Sequence, residues 1–572
     1  MTPRDETGTI PTGPARSFQG LSSRPARARS TALGRADRRR RRPSPLRRRR
    51  RRAGRRAPRD LSLPATMRTT ERVRAHGEVF TSPREVEAML DLVADLAADP
   101  DARCFEPACG DGNFLVALLR RRLAAAKTRP GAELGDVARR ALASLHGIDL
   151  LSDNVLACRA RLLAVVQDTG VVDPASLSTI AALLQDRVVQ GDALALLGDP
   201  AHPWRRQPVD VVIGNPPYQR EDGGHGRSAR PLFPAFVRLA KALAPRHVVM
   251  IVPSRWFAGG KGLRGFRDEM LADQRLRVLV DFEDATACFP GVDVAGGVAY
   301  FRWDRDDPGP CAITNVTGDD RSTSTRALDA LPVLVRHATA AAIVQKVRAR
   351  GEPSLSTQVS PRKPFGLDTR ARPGHHGDDG DVRLRWQHGE GPFFRRDLKA
   401  GLPYVDRFKV CTSYVAFDHA GRPGKDGRRR VFSRLLVLPP GVVCNETYVV
   451  VGAFDTDTEA RHLLSFLQTR LCRFLVAQAM VSHHITRDAY VFVPRVDVTR
   501  PWTDADLAAR YGLSEDEAAF VAARIRPLPT EPAAGAVVSA PAATTAPLSS
   551  STQAARGRRS GSRRPPSSPR QR

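Results

Sequence analysis

Two hydrophobic periodicities alternate along the middle of the chain. Short apolar runs of strand length are followed by longer segments in which apolar residues recur every three to four positions. The predicted strands are Ala102–Phe105, Ser144–Asp149, Arg187–Gln190, Val209–Ile213 and His247–Val252, and the predicted helices are Val86–Leu96, Phe114–Leu123, Asn154–Val166 and Leu232–Leu243. This rhythm predicts an α/β fold with a doubly wound, mostly parallel, Rossmann-like sheet.

Composition divides the chain into five predicted segments. Residues 1–66 contain the unbroken runs Arg38–Arg42 and Arg47–Arg52 and cannot bury a core, so we predict a disordered leader. We expect translation to begin at Met67, because patterned sequence follows it at once. The remaining segments are the α/β domain at 67–310, an irregular connecting segment at 311–392, a second mixed α/β domain at 393–527 and a disordered tail at 528–572.

Charge and cysteine usage narrow the functional classes. The formal net charge is +29, and the two predicted tails, 1–66 and 528–572, account for +16 and +6 of it. A basic body between basic tails favours nucleic acid as the partner. The eight cysteines form no CxxC pair, so we predict no metal site and no disulfide framework, and a cytoplasmic location. No apolar stretch approaches the roughly 18–20 residues that a membrane span needs.

The tetrapeptide Asn215-Pro216-Pro217-Tyr218 follows the apolar run Val209–Gly214. Two consecutive prolines fix two φ angles and remove two N–H donors, so the loop presents acceptors. The side-chain oxygen of Asn215 and the carbonyl of Pro216 suit a planar amino group such as N6 of adenine, and Tyr218 adds a stacking face. Accepting both amino hydrogens localises the nitrogen lone pair for attack on a methyl group. The alternative is an ordinary proline-rich loop after a strand.

Three further strand ends carry an acidic residue. Glu106 precedes a glycine turn, and its carboxylate can hold the ammonium of an amino-acid moiety. Asp149 can accept both hydroxyls of a ribose, and Asp192 can accept from an adenine amino group. For Asp149 and Asp192 the alternative role is a helix N-cap. Ligands of open α/β sheets bind at these carboxyl ends.

These residues resemble the motifs of gamma-class adenine-N6 DNA methyltransferases of bacterial restriction–modification systems, and the resemblance runs from about Gly77 to about Ile525. It implies an S-adenosylmethionine-dependent catalytic core that acts on double-stranded DNA, with a target-recognition domain at 393–527 and a separately encoded restriction endonuclease as a possible partner. The block Gly77–Pro83 resembles motif X, in which either Thr81 or Ser82 contacts the cofactor. The resemblance assigns the cofactor to Thr81, Glu106, Pro107, Gly110, Gly112, Asp149, Asp192 and Phe236, and the target adenine to Asn215, Pro216, Pro217, Tyr218 and Phe289.

Basic residues outside these motifs are candidate DNA contacts. The glycine-rich loop with Lys261 and Arg264 could approach a phosphate backbone, and Arg428–Arg430 could reach phosphates or guanine edges. A solvated turn and a solvated charge run are the respective alternatives.

Three other functions fit parts of the sequence. Methyltransferases of protein glutamine or RNA also use Asn-Pro-Pro-Tyr, and a catalytically inactive DNA-binding specificity subunit would keep the recognition domain alone. Asp381 with Asp397-Leu398-Lys399 superficially matches a PD-(D/E)xK nuclease. The surrounding residues lack the strand pattern of a nuclease core, so we attribute that match to chance. The DNA target sequence and the oligomeric state do not follow from the sequence.

Overall fold

The computed structural model describes residues 81–170, 174–220, 230–260, 262–289, 292, 294, 296–374, 380–418, 424, 426–480 and 483–528. The segments predicted to be disordered, 1–66 and all but the first residue of 528–572, lie outside these residues. So does Lys261, and so do the first four residues of the block that resembles motif X.

Eleven strands occupy the first part of the described chain. They are β1 Cys104–Glu106, β2 Leu145–Asp149, β3 Val188–Gln190, β4 Val211–Gly214, β5 Gln219–Arg220, β6 Arg230–Pro231, β7 His247–Pro253, β8 Leu276–Phe282, β9 Val298–Asp304, β10 Cys311–Thr317 and β11 Asp320–Arg326. Strands β5 and β6 pair with each other, and the other nine form one sheet in the order β11-β10-β8-β9-β7-β4-β1-β2-β3. Only β9 and β11 run against the common direction of this sheet.

The strand order reverses between β1 and β4. From β1 the chain proceeds to β2 and β3 on one side and then returns to β4 and β7 on the other. All neighbours from β3 through β7 in this order are parallel. The predicted doubly wound, mostly parallel sheet is therefore confirmed, and its switch point lies where ligands of such sheets bind.

Helices cover both faces of this sheet. They are α1 Pro83–Asp91, α2 Ala94–Ala98, α3 Asn113–Lys127, α4 Leu134–Ala143, α5 Ser152–Gln167, α6 Pro174–Arg187, α7 Ala193–Leu196, α8 Phe233–Ala242 and α9 Arg264–Ala272, with 3-10 helices at Pro203–Arg206, Ser254–Ala258 and Ala285–Ala287. Alternate residues of β4 face opposite layers: Val211 and Ile213 pack in one hydrophobic cluster and Val212 in the other. Because both faces are buried, the central strands are continuously apolar.

Two sequence predictions need correction. The single helix predicted at Val86–Leu96 is two helices, α1 and α2, because Val93 leaves helical geometry at φ −137° and ψ 41°. Residues 311–326, predicted as irregular, form the antiparallel hairpin β10–β11 at the edge of the sheet. The sheet therefore continues beyond residue 310. In β11 most side chains are polar and exposed, so the strand lacks the apolar alternation that marks a buried one.

The later part of the chain is mixed α/β, as predicted for 393–527, but the helix Ala338–Ala349, the strand Val382–Trp386 and most of the strand Gly389–Phe393 lie in the segment 311–392 that was predicted to be irregular. Its strands are β12 Val382–Trp386, β13 Gly389–Phe393, β14 Phe408–Ser413, β15 Leu435–Leu438, β16 Val442–Cys444 and β17 Tyr448–Phe454, and they form two three-stranded sheets. Its helices are α10 Ala338–Ala349, α11 Leu402–Val405, α12 Asp457–Gln468, α13 Arg470–Ala479, α14 Asp504–Tyr511 and α15 Glu515–Arg524, with 3-10 helices at Leu355–Thr357, Arg395–Asp397 and Arg487–Tyr490. Capping boxes at Thr503–Asp506 and Ser514–Glu517 fix the starts of α14 and α15. Within the described residues, no helix is long and apolar enough to cross a membrane.

Candidate active site

Four of the predicted site positions lie where neighbouring strands of the sheet end, at their carboxyl ends; this end of the sheet is called the edge below. Glu106 ends β1, Asp149 ends β2, Asp192 follows β3, and Asn215 follows β4. Because these strands are parallel neighbours, their carboxyl ends meet at the switch point.

Glu106 is a buried carboxylate with an unmet hydrogen-bonding capacity. Its side chain is 2% exposed, and Oε2 has no hydrogen-bond partner among the described residues. Burial raises the pKa of Glu106 well above its ordinary value, and the nearby Cys158 and Asp149 add to this shift. A side chain on Gly214 would place its Cβ 3.2 Å from Glu106 Cγ. Glycine at position 214 therefore lets Glu106 lie directly beside the residue that precedes Asn215.

Asp149, in contrast, is tied into the protein. Its Oδ2 accepts the N–H of Gly110 at 2.9 Å, and its Oδ1 accepts the N–H of Leu151 and the side-chain amide of Asn154, both at 2.9 Å. These contacts hold the loop after β1 against the end of β2. The alternative helix N-cap does not describe this arrangement, because the helix α5 begins after Leu151.

The turn between β1 and α3 depends on two glycines. Gly110 and Gly112 have φ angles of +53° and +92°, which favour glycine. A Cβ on Gly112 would lie 2.5 Å from Cys158 Sγ, whereas one on Gly110 would meet no atom within 4 Å. Pro107 is buried at the start of this turn. The space beside Gly110 is where a ligand could approach the backbone.

The structure separates the roles of Thr81 and Ser82. Ser82 caps α1, because its hydroxyl accepts the N–H of Glu85 at 3.3 Å. Thr81 is 4% exposed, and its Oγ1 lacks a hydrogen-bond partner in the described part of the chain. The N–H of Ser82 donates to the carbonyl of Cys288 at 3.3 Å, which brings this segment beside Phe289.

The loop after β4 lies against Phe289. The rings of Tyr218 and Phe289 meet edge to face, with centroids 6.3 Å apart and an interplanar angle of 65°. Asn215 and Pro217 are half-buried, whereas Pro216, Tyr218 and Phe289 are buried. Burial raises the pKa of Tyr218 well above its ordinary value, and its hydroxyl has no partner within the described residues. The two rings that were predicted to stack on a base therefore lie together at the end of β4.

Asp192 and Phe236 make contacts of other kinds. Asp192 is exposed and caps α7, because its Oδ1 accepts the N–H groups of Leu194 and Ala195 at 2.9 and 3.4 Å. The cap predicted as its alternative role is present. Phe236 is 5% exposed and packs in the hydrophobic cluster that includes Ile148 and Ala193.

Three residues at this edge were not singled out from the sequence. Asn154 orients Asp149, as described above. Leu150 is 56% exposed immediately after Asp149, which is unusual for a leucine beside a buried strand. Arg255 follows β7 and has a buried Nε without a hydrogen-bond partner among the described residues. A leucine directly after an acidic strand end was the sequence signal for Leu150, whereas its exposure and the roles of the other two residues needed the fold.

The basic residues proposed as DNA contacts differ in their exposure and in their partners. Arg428 is exposed, Arg429 pairs through its backbone with the chain at Ile525, and the guanidinium of Arg430 lies 4.7 Å over the ring of Phe417. Arg264 is exposed, and its guanidinium lies 4.0 Å from a carboxylate oxygen of Asp488.

The middle of the nine-stranded sheet, called the catalytic sheet below, matches the model of a known protein family. Residues 144–289, which span β2 to the residue Phe289, match the model described as Eco57I restriction-modification methylase. The predicted resemblance to restriction–modification methyltransferases is confirmed. The matched residues include Asp149, Asn215–Tyr218 and Phe289 but cover only roughly a quarter of the chain.

Three curated methyltransferases resemble parts of the chain. An uncharacterized adenine-specific methylase of Mycoplasma pneumoniae is 34% identical over 107 residues, which are 18% of this chain and 25% of that protein. The type II methyltransferases M.PaeR7I of Pseudomonas aeruginosa and M.BstVI of Geobacillus stearothermophilus are 30% and 31% identical over 152 and 159 residues, which are 26% and 27% of this chain and 24% and 27% of those proteins. The matches thus span about a quarter of the length of these relatives.

Two solved structures of protein–DNA complexes overlap with more of the chain at low identity. The type IIL restriction-modification enzyme MmeI in complex with DNA has a TM-score of 0.41 and 10% identity, over 72% of this chain and 64% of that one. The DrdV–DNA complex has a TM-score of 0.42 and 11% identity, over 78% of this chain and 57% of that one. At these values the overlaps carry no statement about function.

Proposed function

We propose that this protein transfers a methyl group from S-adenosylmethionine to N6 of an adenine in double-stranded DNA, as the modification component of a restriction–modification system. The observation that carries the proposal is the proximity of Glu106 to the residue preceding Asn215 at the switch point of the sheet. A carboxylate for the cofactor and acceptors for an amino group then lie side by side. The methylase match over residues 144–289 supports the same reaction class.

The cofactor fits the polar groups at the ends of β1 and β2. The unmet oxygen of Glu106 suits the ammonium of the methionine moiety, and the hydroxyl of Thr81 suits the same end. Asp149 keeps acceptor capacity on Oδ2, which receives one hydrogen bond from the described residues, so it can accept from the ribose hydroxyls. Gly110 gives close backbone approach, and the exposed face of Leu150 suits the adenine ring.

The contacts proposed for the remaining residues are weaker. Phe236 would pack near the cofactor adenine, and Asp192 would accept from its amino group only through Oδ2, because Oδ1 caps α7. Pro107 and Gly112 would act by shaping the turn that carries Gly110.

The target adenine must leave the double helix, because its N6 is unreachable while it is paired. Asn215 and the carbonyl of Pro216 would then accept the two amino hydrogens, and Pro217 would hold the loop rigid. Tyr218 and Phe289 would contact the base ring. Their present edge-to-face contact leaves no slot between the two rings, so base entry requires one of them to move.

When bound, S-adenosylmethionine supplies an electrophilic methyl group attached to a sulfonium. By accepting both amino hydrogens, Asn215 and the carbonyl of Pro216 would direct the N6 lone pair towards that methyl group, whose transfer would leave the sulfur as a neutral thioether. The surplus N6 proton then leaves to solvent. Holding the two reactants in line supplies much of the rate enhancement.

Tritiated S-adenosylmethionine tests this proposal directly. The full chain should label double-stranded DNA, and digestion should release N6-methyladenine. Label in RNA or in protein glutamine instead would contradict the DNA assignment. Cofactor binding without transfer to any of the three would favour the inactive specificity subunit. Sequencing of modified bases in DNA from an expressing host would then give the target sequence.

We further propose that residues 393–527 recognise the target sequence. Arg430 stacks over Phe417, which is 49% exposed, and Arg428 lies exposed nearby in the chain. An aromatic ring and guanidinium groups at one surface suit contacts to bases and phosphates. Exchange of this segment with that of a related enzyme should transfer the methylated sequence while the product remains N6-methyladenine. Retention of the original sequence would place recognition in loops of the catalytic sheet.

The cellular setting is proposed on the same grounds. A modification methyltransferase acts beside a restriction endonuclease, and we propose a separately encoded one as partner. A cytoplasmic location follows from access to chromosomal DNA. Co-purification of a nuclease with the tagged full chain would test the first point.

A further inference from the structure

A cavity of 360 Å³ lies between the carboxyl ends of β7 and β8 and the later part of the chain. One wall comes from the residues after β7 and β8, and the opposite wall comes from 427–429, α13 and the end of α15. Its charged lining consists of Arg255, Glu283, Arg336, His337, Arg429 and Arg524. Four arginines therefore face a single carboxylate in this lining.

The acidic groups here are already engaged. Arg336 Nη1 lies 3.1 Å from Oδ2 of Asp281, which is 1% exposed behind the cavity, and His337 Nε2 lies 3.1 Å from Glu283 Oε1. Burial acts to raise the pKa of Glu283, but the hydrogen bond with His337 and the charge of Arg336 outweigh it and lower that pKa. Asp281 and Glu283 thus pair directly with Arg336 and His337, and the charge of Glu283 acts on Arg429 and Arg524 only from beyond ion-pair distance.

The other three arginines lack such partners. Among the described residues, no carboxylate lies within ion-pair distance of Arg255, Arg429 or Arg524. Arg524 stacks on Phe520 at 3.5 Å, and Arg255 keeps a buried Nε without a hydrogen-bond partner. Burial lowers the pKa of all three guanidinium groups. Three partly desolvated like charges around one cavity are unfavourable until an anion enters.

The position of the cavity indicates which kind of anion it would bind. Arg255 follows β7, the parallel neighbour of β4, and its charge acts on the phenol of Tyr218. The cavity therefore adjoins the loop proposed to hold the target adenine, on the side away from Glu106 and Asp149. A guanidinium cluster matches the geometry and charge of a phosphate diester better than that of a neutral ligand.

We propose that this cavity binds a backbone phosphate of the DNA strand that carries the target adenine, held jointly by Arg255, Arg429 and Arg524. The inference rests on the proposed DNA methyltransferase function. Arg255 belongs to the catalytic sheet, whereas Arg429 and Arg524 belong to the later segment. One phosphate would therefore link target recognition to placement of the adenine beside Asn215.

The test combines three variants with chemically altered DNA. Arg255→Gln, Arg429→Gln and Arg524→Gln are made in the full chain, with Arg139→Gln as the control. Arg139 lies on α4, is 65% exposed and pairs only with Asp136 among the described residues. Duplexes carry the target sequence with a neutral methylphosphonate at one linkage at a time around the adenine. Binding is measured by fluorescence anisotropy over a series of salt concentrations.

The wild-type protein should lose affinity by about tenfold at one linkage, as expected for loss of a charge-assisted hydrogen bond. Each of the three variants should lose affinity on unmodified DNA and show a smaller further loss at that linkage than the wild type, because two arginines still hold the phosphate. Their plots of log affinity against log salt should be shallower than that of the wild type, and the full change of about 0.9 for one lost phosphate contact is the upper bound. Arg139→Gln should match the wild type in every arm.

If each variant lost as much affinity at the neutral linkage as the wild type does, the two losses would be independent. That result would overturn the assignment. Stabilisation by inorganic phosphate without any linkage-specific effect would show a site for a free anion and would also overturn it. Cofactor affinity and melting temperature identify a variant that fails to fold, and Arg→Lys versions at the same positions should recover part of the affinity. Absence of methyl transfer by the wild type would instead refute the proposed function.

Discussion

The edge that holds Glu106 and the cavity that holds Arg429 leave opposite charges unsatisfied. At the first, a buried carboxylate oxygen has no partner among the described residues; at the second, three guanidinium groups have no carboxylate of the described chain within ion-pair distance. The first suits the ammonium of a cofactor and the second suits a phosphate of DNA. The protein thus presents each ligand with ionisable groups that are already partly removed from water, and both ligands should stabilise the fold on binding.

The largest expected effect lies between these two places, at Asn215. Asn215→Ala should reduce methyl transfer by about 100-fold or more, comparable to the loss of one preorganised polar group in an active site. Affinity for S-adenosylmethionine should stay within a factor of two, because Asn215 addresses the target amine. Tritium transfer and calorimetry measure the two quantities. Substantial remaining transfer would remove Asn215 from the reaction.

Variants at Asp149 test the proposed cofactor site at the carboxyl ends of β1 and β2. Asp149→Ala should weaken S-adenosylmethionine binding by roughly 1.5–3 kcal/mol, since it removes a charged acceptor for the ribose. Asn154→Ala is the matched variant, because it disturbs the orientation of Asp149 without removing its charge. It should cause a smaller loss. Unchanged calorimetric affinity in Asp149→Ala would restrict Asp149 to holding Gly110 in place.

Because of Glu106, cofactor affinity and the stability of the protein should both depend on pH. Its pKa is raised in the free protein, and an ammonium ligand favours the ionised form, so cofactor binding should release protons and strengthen as pH rises through that pKa. The stability of the free protein should fall as pH rises from the usual glutamate pKa towards the raised one, because the folded state binds the proton more tightly. Glu106→Gln should abolish both effects and weaken cofactor binding by about tenfold.

Calorimetry in buffers of different ionisation enthalpy counts the released protons. Equal proton release by the wild type and by Glu106→Gln would mean that another group titrates on binding, and the unmet oxygen of Glu106 would then have no cofactor role.

Asp192 should show the smallest effect. Asp192→Ala should lower stability by about 0.5–2 kcal/mol through loss of the α7 cap, and weaken cofactor binding by only about two- to tenfold. Asp192→Ser keeps a capping hydroxyl but is shorter. If it restores the melting temperature without restoring affinity, Asp192 touches the cofactor as well as capping the helix. Full recovery of both would leave the cap as its whole role.

Local signals explain what the sequence predicted well. The strand before Asn215 and the prolines after it are adjacent in the chain, and the acidic strand ends need only the parallel sheet to converge. The strands β1 to β4 and β7 followed from periodicity for the same reason. The strands β8 and β9, the hairpin β10–β11, the helices α4, α6 and α9 and the break at Val93 were not predicted, and the polar strand β11 has no apolar period that could reveal it.

Long-range geometry explains what was missed. Arg255, Arg429 and Arg524 come from three distant segments; the sequence indicated Arg429 as a candidate phosphate contact within the run Arg428–Arg430, but no local pattern indicates that the three meet at one cavity. The choice between Thr81 and Ser82 needed the helix start, since a cap and a ligand hydroxyl look alike in sequence. The site roles themselves stay predictions until the variants are measured.

The strand Asp320–Arg326 has a consequence for the behaviour of the protein in concentrated solution. It ends the nine-stranded sheet with charged and hydroxyl side chains, most of them exposed. Edge strands with such residues are poor templates for a strand from another molecule, which limits aggregation of large sheets. Replacing Ser322 and Ser324 with valine would make this edge a better template, and light scattering should detect self-association before any loss of methyl transfer.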